Sequence, residues 1–187
     1  MRTVTYGGAV SLDGFLAGLD GSIDWLHHSK DVQQVMADYW KNIDTILWGR
    51  KTYDVSVAMK RASSPGKPAK PRTPKRKPPA IRNFVFSRTL KALDEPGFEL
   101  VSSDAVEFVR ALKASRGKEI CLMGGGELAQ SLLAADLVDE VRLNVHPILL
   151  GSGIPTFRDP GHRVKLRLFE CRQIDGGCVL VSYRLAR

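Results

Sequence analysis

The chain has 187 residues, of which 43% are hydrophobic and 26% are charged, and its formal net charge is +8. This composition excludes an intrinsically disordered chain and predicts a single domain, because 187 residues can bury one substantial core but are few for two independent domains. No apolar run approaches the roughly 20 residues that cross a bilayer, and no secretory signal opens the sequence, so we expect a soluble, cytoplasmic protein without a membrane partner.

Strand-like and helix-like patterns alternate along the chain, which predicts an α/β fold. The first strand covers residues 4–10, and apolar side chains at helical spacing then predict an amphipathic helix over residues 31–41, with Asp31 at its start. Further strands are predicted at residues 45–48, 83–86, 98–101, 120–123 and 140–145, and further helices at residues 104–115 and 127–135. A C-terminal β-hairpin joins residues 164–171 to residues 179–185, with Val179, Val181, Tyr183 and Leu185 facing inward.

A basic, proline-rich insertion occupies about residues 60–80. Nine Lys and Arg and six Pro lie between Lys60 and Arg82 with no Asp or Glu, and the rest of the chain carries 19 Lys and Arg against 20 Asp and Glu. Prolines fix φ and remove donors, like charges repel, and almost no apolar side chain is available to bury. We therefore expect a solvated loop or tether. The alternative is an electrostatic arm for nucleic acid or another polyanion.

Three consecutive glycines, Gly124, Gly125 and Gly126, follow one predicted strand and precede a predicted helix. Glycines let a ligand approach the backbone, and the N–H groups at the positive end of a helix favour a phosphate. Gly124, Gly126 and Ala129 also match the dinucleotide fingerprint G-x-G-x-x-A. A Rossmann domain would add an acidic residue about 20 positions later, where this chain reads Asn-Val-His-Pro. We predict a phosphate site without a Rossmann fold; the alternative is a tight turn without a ligand.

Two further strand ends carry groups suited to an anion. Gly49, Arg50, Lys51 and Thr52 follow one buried strand, and Ser87, Arg88 and Thr89 follow another. Glycine, cations and hydroxyls at a helix start are the components of an anion site. Because three strand ends carry such groups, the sequence predicts a long ligand with several phosphates across the carboxyl edge of the sheet.

The motifs that carry a family resemblance lie between Ser11 and Phe157 and read, in order, SLDGFLA, DWL, WGRKTYD, FSRTL, LMGGGELAQSLLAADLVDEV and PILLGSGIPTF. Together they resemble the dihydrofolate-reductase-like superfamily. More narrowly, the chain is similar to the branch named after the C-terminal reductase domain of the bifunctional riboflavin-biosynthesis deaminase-reductase. The resemblance covers essentially the whole chain except the insertion, and the triple glycine and PILLGSGIPTF are its most specific parts.

This resemblance implies a mixed, mainly parallel sheet flanked by helices, NADPH as the hydride donor, and a homodimer. It also implies roles for the three strand ends. The adenosine 2′-phosphate end of NADPH would be held by the group Gly49, Arg50, Lys51 and Thr52 together with Ser87 and Arg88. The backbone N–H groups of Gly124, Gly125, Gly126 and Glu127 would meet the pyrophosphate.

In dihydrofolate reductases a Trp is followed, five or six residues on, by a helix-borne carboxylate that assists protonation. By this resemblance Trp25 marks the substrate side and Asp31 is the first candidate for the proton donor, with Asp13 and Asp24 as weaker candidates. A role for Asp31 as the helix N-cap alone is the alternative. The riboflavin-pathway reductases have a Lys where this chain has Gly7, and a D-x-P-x-L stretch that is missing here. We therefore predict a stand-alone NADPH-dependent reductase that transfers hydride to a C=N or C=O carbon of a pterin-like or pyrimidine-ribosyl substrate.

The remaining reactive side chains predict no metal site. The three cysteines have no paired metal-ligand spacing and are expected to be reduced strand residues. The four histidines are scattered, and His27 and His28 either line the substrate mouth or lie in a solvated loop. Besides the reductase, two interpretations stay open: a polyanion-binding protein that uses the basic insertion, and a homologue that binds NADPH without turnover.

Overall fold

The computed structural model describes residues 1–62, 81–124 and 126–186. Its helices are α1 (Lys30–Lys41), α2 (Arg50–Ala62), α3 (Ala105–Ala114) and α4 (Glu127–Ala134). Its strands are β1 (Val4–Ser11), β2 (Phe15–Ala17), β3 (Ile43–Gly49), β4 (Arg82–Phe86), β5 (Phe98–Val101), β6 (Glu119–Met123), β7 (Glu140–His146), β8 (Ile154–Pro155), β9 (Leu166–Ile174) and β10 (Cys178–Leu185). Within these ranges, no helix is long and apolar enough to cross a membrane.

Eight of the strands form one sheet in the order β5-β4-β3-β6-β1-β7-β10-β9. The six strands from β5 to β7 pair in parallel, and β10 and β9 then add an antiparallel hairpin whose turn is a 3₁₀ segment at Asp175–Gly177. The predicted mixed, mainly parallel sheet with a C-terminal hairpin is therefore confirmed. Two very short strands, β2 and β8, form a separate antiparallel pair that the sequence patterns did not predict.

Part of the predicted insertion is helical. The helix that opens after Gly49 continues through Ala62, so Lys60 and Arg61 belong to its last turn, where Lys60 pairs with Glu95. The prediction of an unfolded stretch starting at residue 60 is wrong for these residues, because helix α2 continues to Ala62 and the first proline of the sequence segment is Pro65. The predicted tether itself, at residues 63–80, lies outside the described residues.

Both faces of strand β10 are at least partly buried, and Leu185 of the predicted inward set packs against the main core. Its buried side chains are Cys178, Leu180 and Ser182, whereas Val179, Val181, Tyr183 and Leu185 are only partly buried. The prediction assigned the apolar set to the interior. In the structure the more deeply buried face carries polar contacts instead: the Cys178 thiol lies 3.5 Å from the His146 ring, and the Ser182 hydroxyl donates to Glu170.

The main core lies between the sheet and helices α3 and α4. It includes strand residues such as Tyr6, Leu47 and Leu122 and helix residues such as Val109 and Leu132, all of them fully buried. The opposite face is covered less completely. Helix α1 has no buried residue and packs only its half-buried Tyr39 and Trp40 against Ile43, Ile46 and Cys121. The position of α1 therefore depends more on its ends than on a buried apolar face.

Two ion pairs close the amino end of the sheet. Arg2 pairs with Asp44, and its guanidinium also donates to the Lys118 carbonyl at 2.7 Å and the Thr45 hydroxyl at 2.7 Å. Lys113 has a side chain only 3% exposed, donates to the Leu137 carbonyl at 2.8 Å, and pairs with Asp139. Asp139 in turn accepts from the Val4 N–H at 2.8 Å, so this pair joins α3 to the start of β1.

A Lys113→Met variant tests how much this buried pair contributes to stability. Methionine keeps much of the aliphatic stem but leaves the buried side of Asp139 without its ammonium. Breaking a buried pair costs about 3–5 kcal/mol, and the partial exposure of Asp139 places the expected loss in the free energy of unfolding near the lower value. Lys41→Met, which removes the exposed pair with Asp38, is the control and should change that free energy by about 0.5 kcal/mol or less. Equal losses in urea unfolding of both variants would contradict this assignment.

Candidate functional site

The three predicted anion-binding turns lie side by side at the carboxyl edge of the sheet. Strands β4, β3 and β6 are neighbours and run parallel, with Gly49 level with Phe86 and Trp48 level with Met123. The turns that follow these strands therefore meet at one edge, where the N-termini of α2 and α4 also lie. This is the arrangement that the sequence predicted for a ligand with several phosphates.

A hydrogen bond joins the first two turns. The Arg50 guanidinium, at the start of α2, donates to the Thr89 hydroxyl at 2.9 Å and lies 3.4 Å from Asp54. Ser87 is nearly buried, and its hydroxyl oxygen accepts from the N–H groups of Thr89 and Leu90 at 3.3 and 3.1 Å. Ser87 thus stabilises the turn after β4. The Arg50 side chain reaches from the turn after β3 to the turn after β4.

The third turn is fitted closely against Thr52. Gly124 has a φ of +88°, and a Cβ atom there would lie 2.0 Å from the Thr52 hydroxyl oxygen. Only glycine fits this position, because the backbone conformation and the threonine side chain both exclude a larger residue. The backbone of the turn therefore packs directly against the Thr52 side chain and its hydroxyl group. Gly125, the middle of the predicted motif, lies outside the described residues.

Gly126 caps α4, which starts at Glu127, and as a glycine it gives the first-turn N–H groups of the helix no side-chain hydrogen bond. Arg158 lies beside this turn: its Nε would be 3.8 Å from a Cβ atom at position 126. The segment that carries Arg158 is attached to α4, since the Gln130 amide donates to the Asp159 carbonyl. Sequence reasoning missed Arg158, because no local pattern indicates that it reaches the glycine turn.

Lys51 and Arg88 are exposed at the starts of α2 and of the turn after β4. With Arg50 and Arg158 they make this edge cationic, and the glycine turn supplies the close backbone approach that a phosphate needs. The residues of this edge therefore fit a phosphate-bearing dinucleotide. Among the described residues, no group of His, Cys, Asp or Glu is arranged to hold a metal ion.

Asp13 holds a turn together. Its carboxylate accepts from the Ser11 hydroxyl at 2.6 Å and from the N–H groups of Gly151 and Leu150 at 2.7 and 3.2 Å. The Ser11 hydroxyl and these backbone donors keep the pKa of the Asp13 carboxyl below its usual range. An ionised carboxylate with three donors around it favours a structural role over that of a proton donor.

Asp31 lies in an open cavity between the start of α1 and the end of the C-terminal hairpin. The lining residues are Lys30, Asp31, Gln173, Ile174 and Asp175. The N-cap of α1 is Ser29, whose hydroxyl accepts from the Val32 N–H at 3.1 Å, so the alternative that Asp31 is only a cap is wrong. Within the described parts of the chain, the Asp31 carboxylate has no hydrogen bond or ion pair, and it is exposed to the cavity.

Trp25 lies against the carboxyl end of β7, while Asp24 beside it is exposed. The Trp25 ring meets the His146 ring edge to face, with centroids 5.4 Å apart, and its buried indole N–H has no partner among the described residues. His27 also reaches this place, since its N–H donates to His146 Nδ1 at 3.3 Å. His146 is 2% exposed, and burial, together with the neighbouring His27 and His28, lowers its pKa. The spacing of the four histidines in the sequence did not predict this cluster.

The chain matches a known protein family over most of its length. The family model of the RibD C-terminal domain matches residues 2–180. The Bacillus subtilis (strain 168) protein YyaP is 35% identical over 178 residues, which are 94% of this chain and 90% of YyaP.

Two solved structures share the fold. One is the diaminohydroxyphosphoribosylaminopyrimidine deaminase/5-amino-6-(5-phosphoribosylamino)uracil reductase of Thermotoga maritima, with a TM-score of 0.67 and 22% identity over 99% of this chain and 57% of that one. The other is the dihydrofolate reductase of Enterococcus faecalis in complex with NADP(H), with a TM-score of 0.64 and 16% identity over 99% of this chain and 97% of that one. The chain therefore belongs to the RibD C-terminal domain family and has the dihydrofolate-reductase-like fold.

Proposed function

We propose that the protein is an NADPH-dependent reductase that delivers hydride to a C=N or C=O carbon of a pterin-like or pyrimidine-ribosyl compound. The observation that carries this proposal is the meeting of three phosphate-compatible turns at one sheet edge, with Gly124 packed on Thr52 and Arg50 bonded across to Thr89. The fold supports it, because solved structures with the same fold include a deaminase/5-amino-6-(5-phosphoribosylamino)uracil reductase and a dihydrofolate reductase in complex with NADP(H).

The cationic half of this edge suits the adenosine 2′-phosphate end of NADPH. Arg50, Lys51 and Arg88 offer charge-assisted hydrogen bonds, and the Thr52 and Thr89 hydroxyls add neutral donors. The glycine turn and the main-chain N–H of Glu127 suit the pyrophosphate, and Arg158 adds a positive charge beside them. When bound, NADPH supplies the hydride, whereas these residues supply position and electrostatic stabilisation.

The substrate lies, in this proposal, on the other side of β1, near Trp25 and the cavity that contains Asp31. A carboxyl group with no internal partner can exchange a proton with a bound substrate, which the hydrogen-bonded Asp13 is less suited to do. Gly7 replaces the Lys of the riboflavin-pathway reductases in the first strand. The absence of that cation favours a substrate that does not need it, so we assign the substrate class rather than the riboflavin intermediate itself.

The cofactor proposal predicts that NADPH raises the melting temperature more than NADH does. Only NADPH carries the extra phosphate that the edge cations can bind, and a hydrogen bond to a charged group contributes about 1.5–3 kcal/mol. Arg50→Ala should weaken NADPH binding about tenfold or more and leave NADH binding nearly unchanged. Arg110→Ala, which removes an exposed arginine on α3, is the matched control. Equal stabilisation by both nucleotides, or by neither, would overturn the cofactor assignment.

The proton-donor proposal predicts that Asp31→Asn lowers kcat by on the order of 10²-fold, because an amide cannot relay a proton. The measurement is NADPH oxidation with an acceptor chosen from a panel of pterin and pyrimidine compounds that the wild type reduces. NADPH stabilisation in thermal unfolding should stay unchanged in this variant. Asp38→Asn, two turns further along the same helix, should keep full activity. A fully active Asp31→Asn enzyme would remove Asp31 from the reaction.

A further inference from the structure

A buried polar cluster lies at the carboxyl end of β7, outside the turns assigned to the cofactor. At its centre is His146, whose ring is contacted by Trp25, by the main chain of His27, by Cys178 at the start of β10 and by the Asn144 side chain. His146 is 2% exposed, and two buried polar atoms beside it, Trp25 Nε1 and Asn144 Oδ1, have no hydrogen-bond partner in the described residues. Unpaired buried polar groups of this kind are uncommon and ask for an explanation.

The contacts of Nδ1 determine where the proton of the ring lies. Nδ1 faces the His27 N–H at 3.3 Å, and a main-chain N–H can only donate. It also lies 3.5 Å from the Cys178 sulfur. Burial, and then the charge of Asp175, raise the pKa of this thiol, so it stays protonated and is a second donor. Nδ1 is therefore the acceptor, and the neutral ring carries its proton on Nε2.

The same proton sets the orientation of Asn144. Its side-chain amide lies 3.1 Å from His146 Nε2. An Nε2–H needs an acceptor, so the Asn144 oxygen belongs on the histidine side, and the two ends of an amide differ only by a half-turn of the group. The NH₂ group then takes the buried position that has no partner. Two unpaired donors, from Asn144 and Trp25, thus lie around one neutral imidazole.

We infer that His146 is a positioning residue that, as a neutral imidazole, ties residues 23–28 to the end of β7 and fixes the orientation of the buried Asn144 amide. This inference rests on the proposed reductase function, because it assumes that the substrate lies near Trp25 and Asp31. The tie matters for Asp31 because α1 starts only three residues after His27 and has no buried side chain of its own.

Protonation of His146 breaks this arrangement. A proton on Nδ1 turns this acceptor into a donor that faces the His27 N–H, so the hydrogen bond that ties His27 to His146 is lost. The titratable groups that act on the ring are His27 and His28 on the loop, and Cys178 of the hairpin lies against it, with Asp175 acting on Cys178 in turn. Because burial, and then the neighbouring His27 and His28, lower the pKa of His146 from its usual value, the tie persists at neutral pH and is lost as the pH falls through that lowered pKa.

The test is the indole N–H resonance of Trp25 in the full chain, identified by its loss in Trp25→Phe and followed from pH 8 to about pH 5 by NMR. We expect the wild-type resonance to move with a midpoint below 6.5. His146→Asn keeps an acceptor near the Nδ1 position but cannot titrate. The movement of the resonance and the decrease in kcat at low pH should therefore both disappear in this variant. His162→Asn, at an exposed histidine, is the matched control and should keep both.

His146→Leu removes the acceptor at similar bulk and should lower kcat about tenfold while NADPH stabilisation stays unchanged. If this variant does not fold, the titration of the Trp25 resonance in His146→Asn is the test of the positioning role. A Trp25 resonance that moves identically in wild type and His146→Asn would overturn the positioning role, as would an unchanged pH dependence of kcat.

The experiment distinguishes failure of this inference from failure of the proposed function. A normal titration of the Trp25 resonance without any NADPH binding contradicts the reductase proposal, whereas NADPH turnover without a His146-dependent titration contradicts the positioning role of His146.

Discussion

Parallel pairing of neighbouring strands is the constraint on which the rest of the molecule depends. From β4 through β3, β6 and β1 to β7, every pair is parallel, so five carboxyl ends lie at one edge. The register then decides which residues meet there: Trp48 lies level with Met123 and Ser11 level with His146. A shift of one residue would turn each side chain to the other face and separate Thr52 from Gly124. Both halves of the candidate site are therefore consequences of strand register.

The two ends of the sheet use charge in opposite ways. At the amino end Arg2 and Lys113 are buried, and each cation is paired and hydrogen-bonded to backbone carbonyls. At the carboxyl end Arg50, Lys51 and Arg88 are exposed, and Arg50 has only weak competition from Asp54 for an incoming anion. Buried pairs are costly to break, whereas exposed cations can exchange water for a phosphate at little cost. Stability and ligand binding are thus kept at different edges.

The sequence predicted those parts of the molecule that local chemistry determines. Apolar periodicity located α1 and most of the strands to within a few residues, and glycines and cations after apolar runs located the three turns.

The alternative that made Asp31 the N-cap of α1 is wrong, because Ser29 and Asp31 are both good caps and only the extended backbone of Ser29 distinguishes them. Strands β2 and β8, of three and two residues, are too short to show a period. His146 and Arg158 gain their importance from neighbours more than 25 positions away, a relation that no local pattern encodes.

The close packing of Gly124 on Thr52 couples two positions that are far apart in the chain and open different helices. The space between β3 and β6 at this point holds one threonine side chain and no further carbon atom. Because Gly124 has a positive φ and no residue is smaller than glycine, position 124 has no change that would make room for a side chain at position 52 larger than threonine. The width of the glycine turn is consequently fixed from the neighbouring strand. If the turn binds the proposed nucleotide, a substitution at position 52 changes that binding through the shape of the turn as well as through the charges around it.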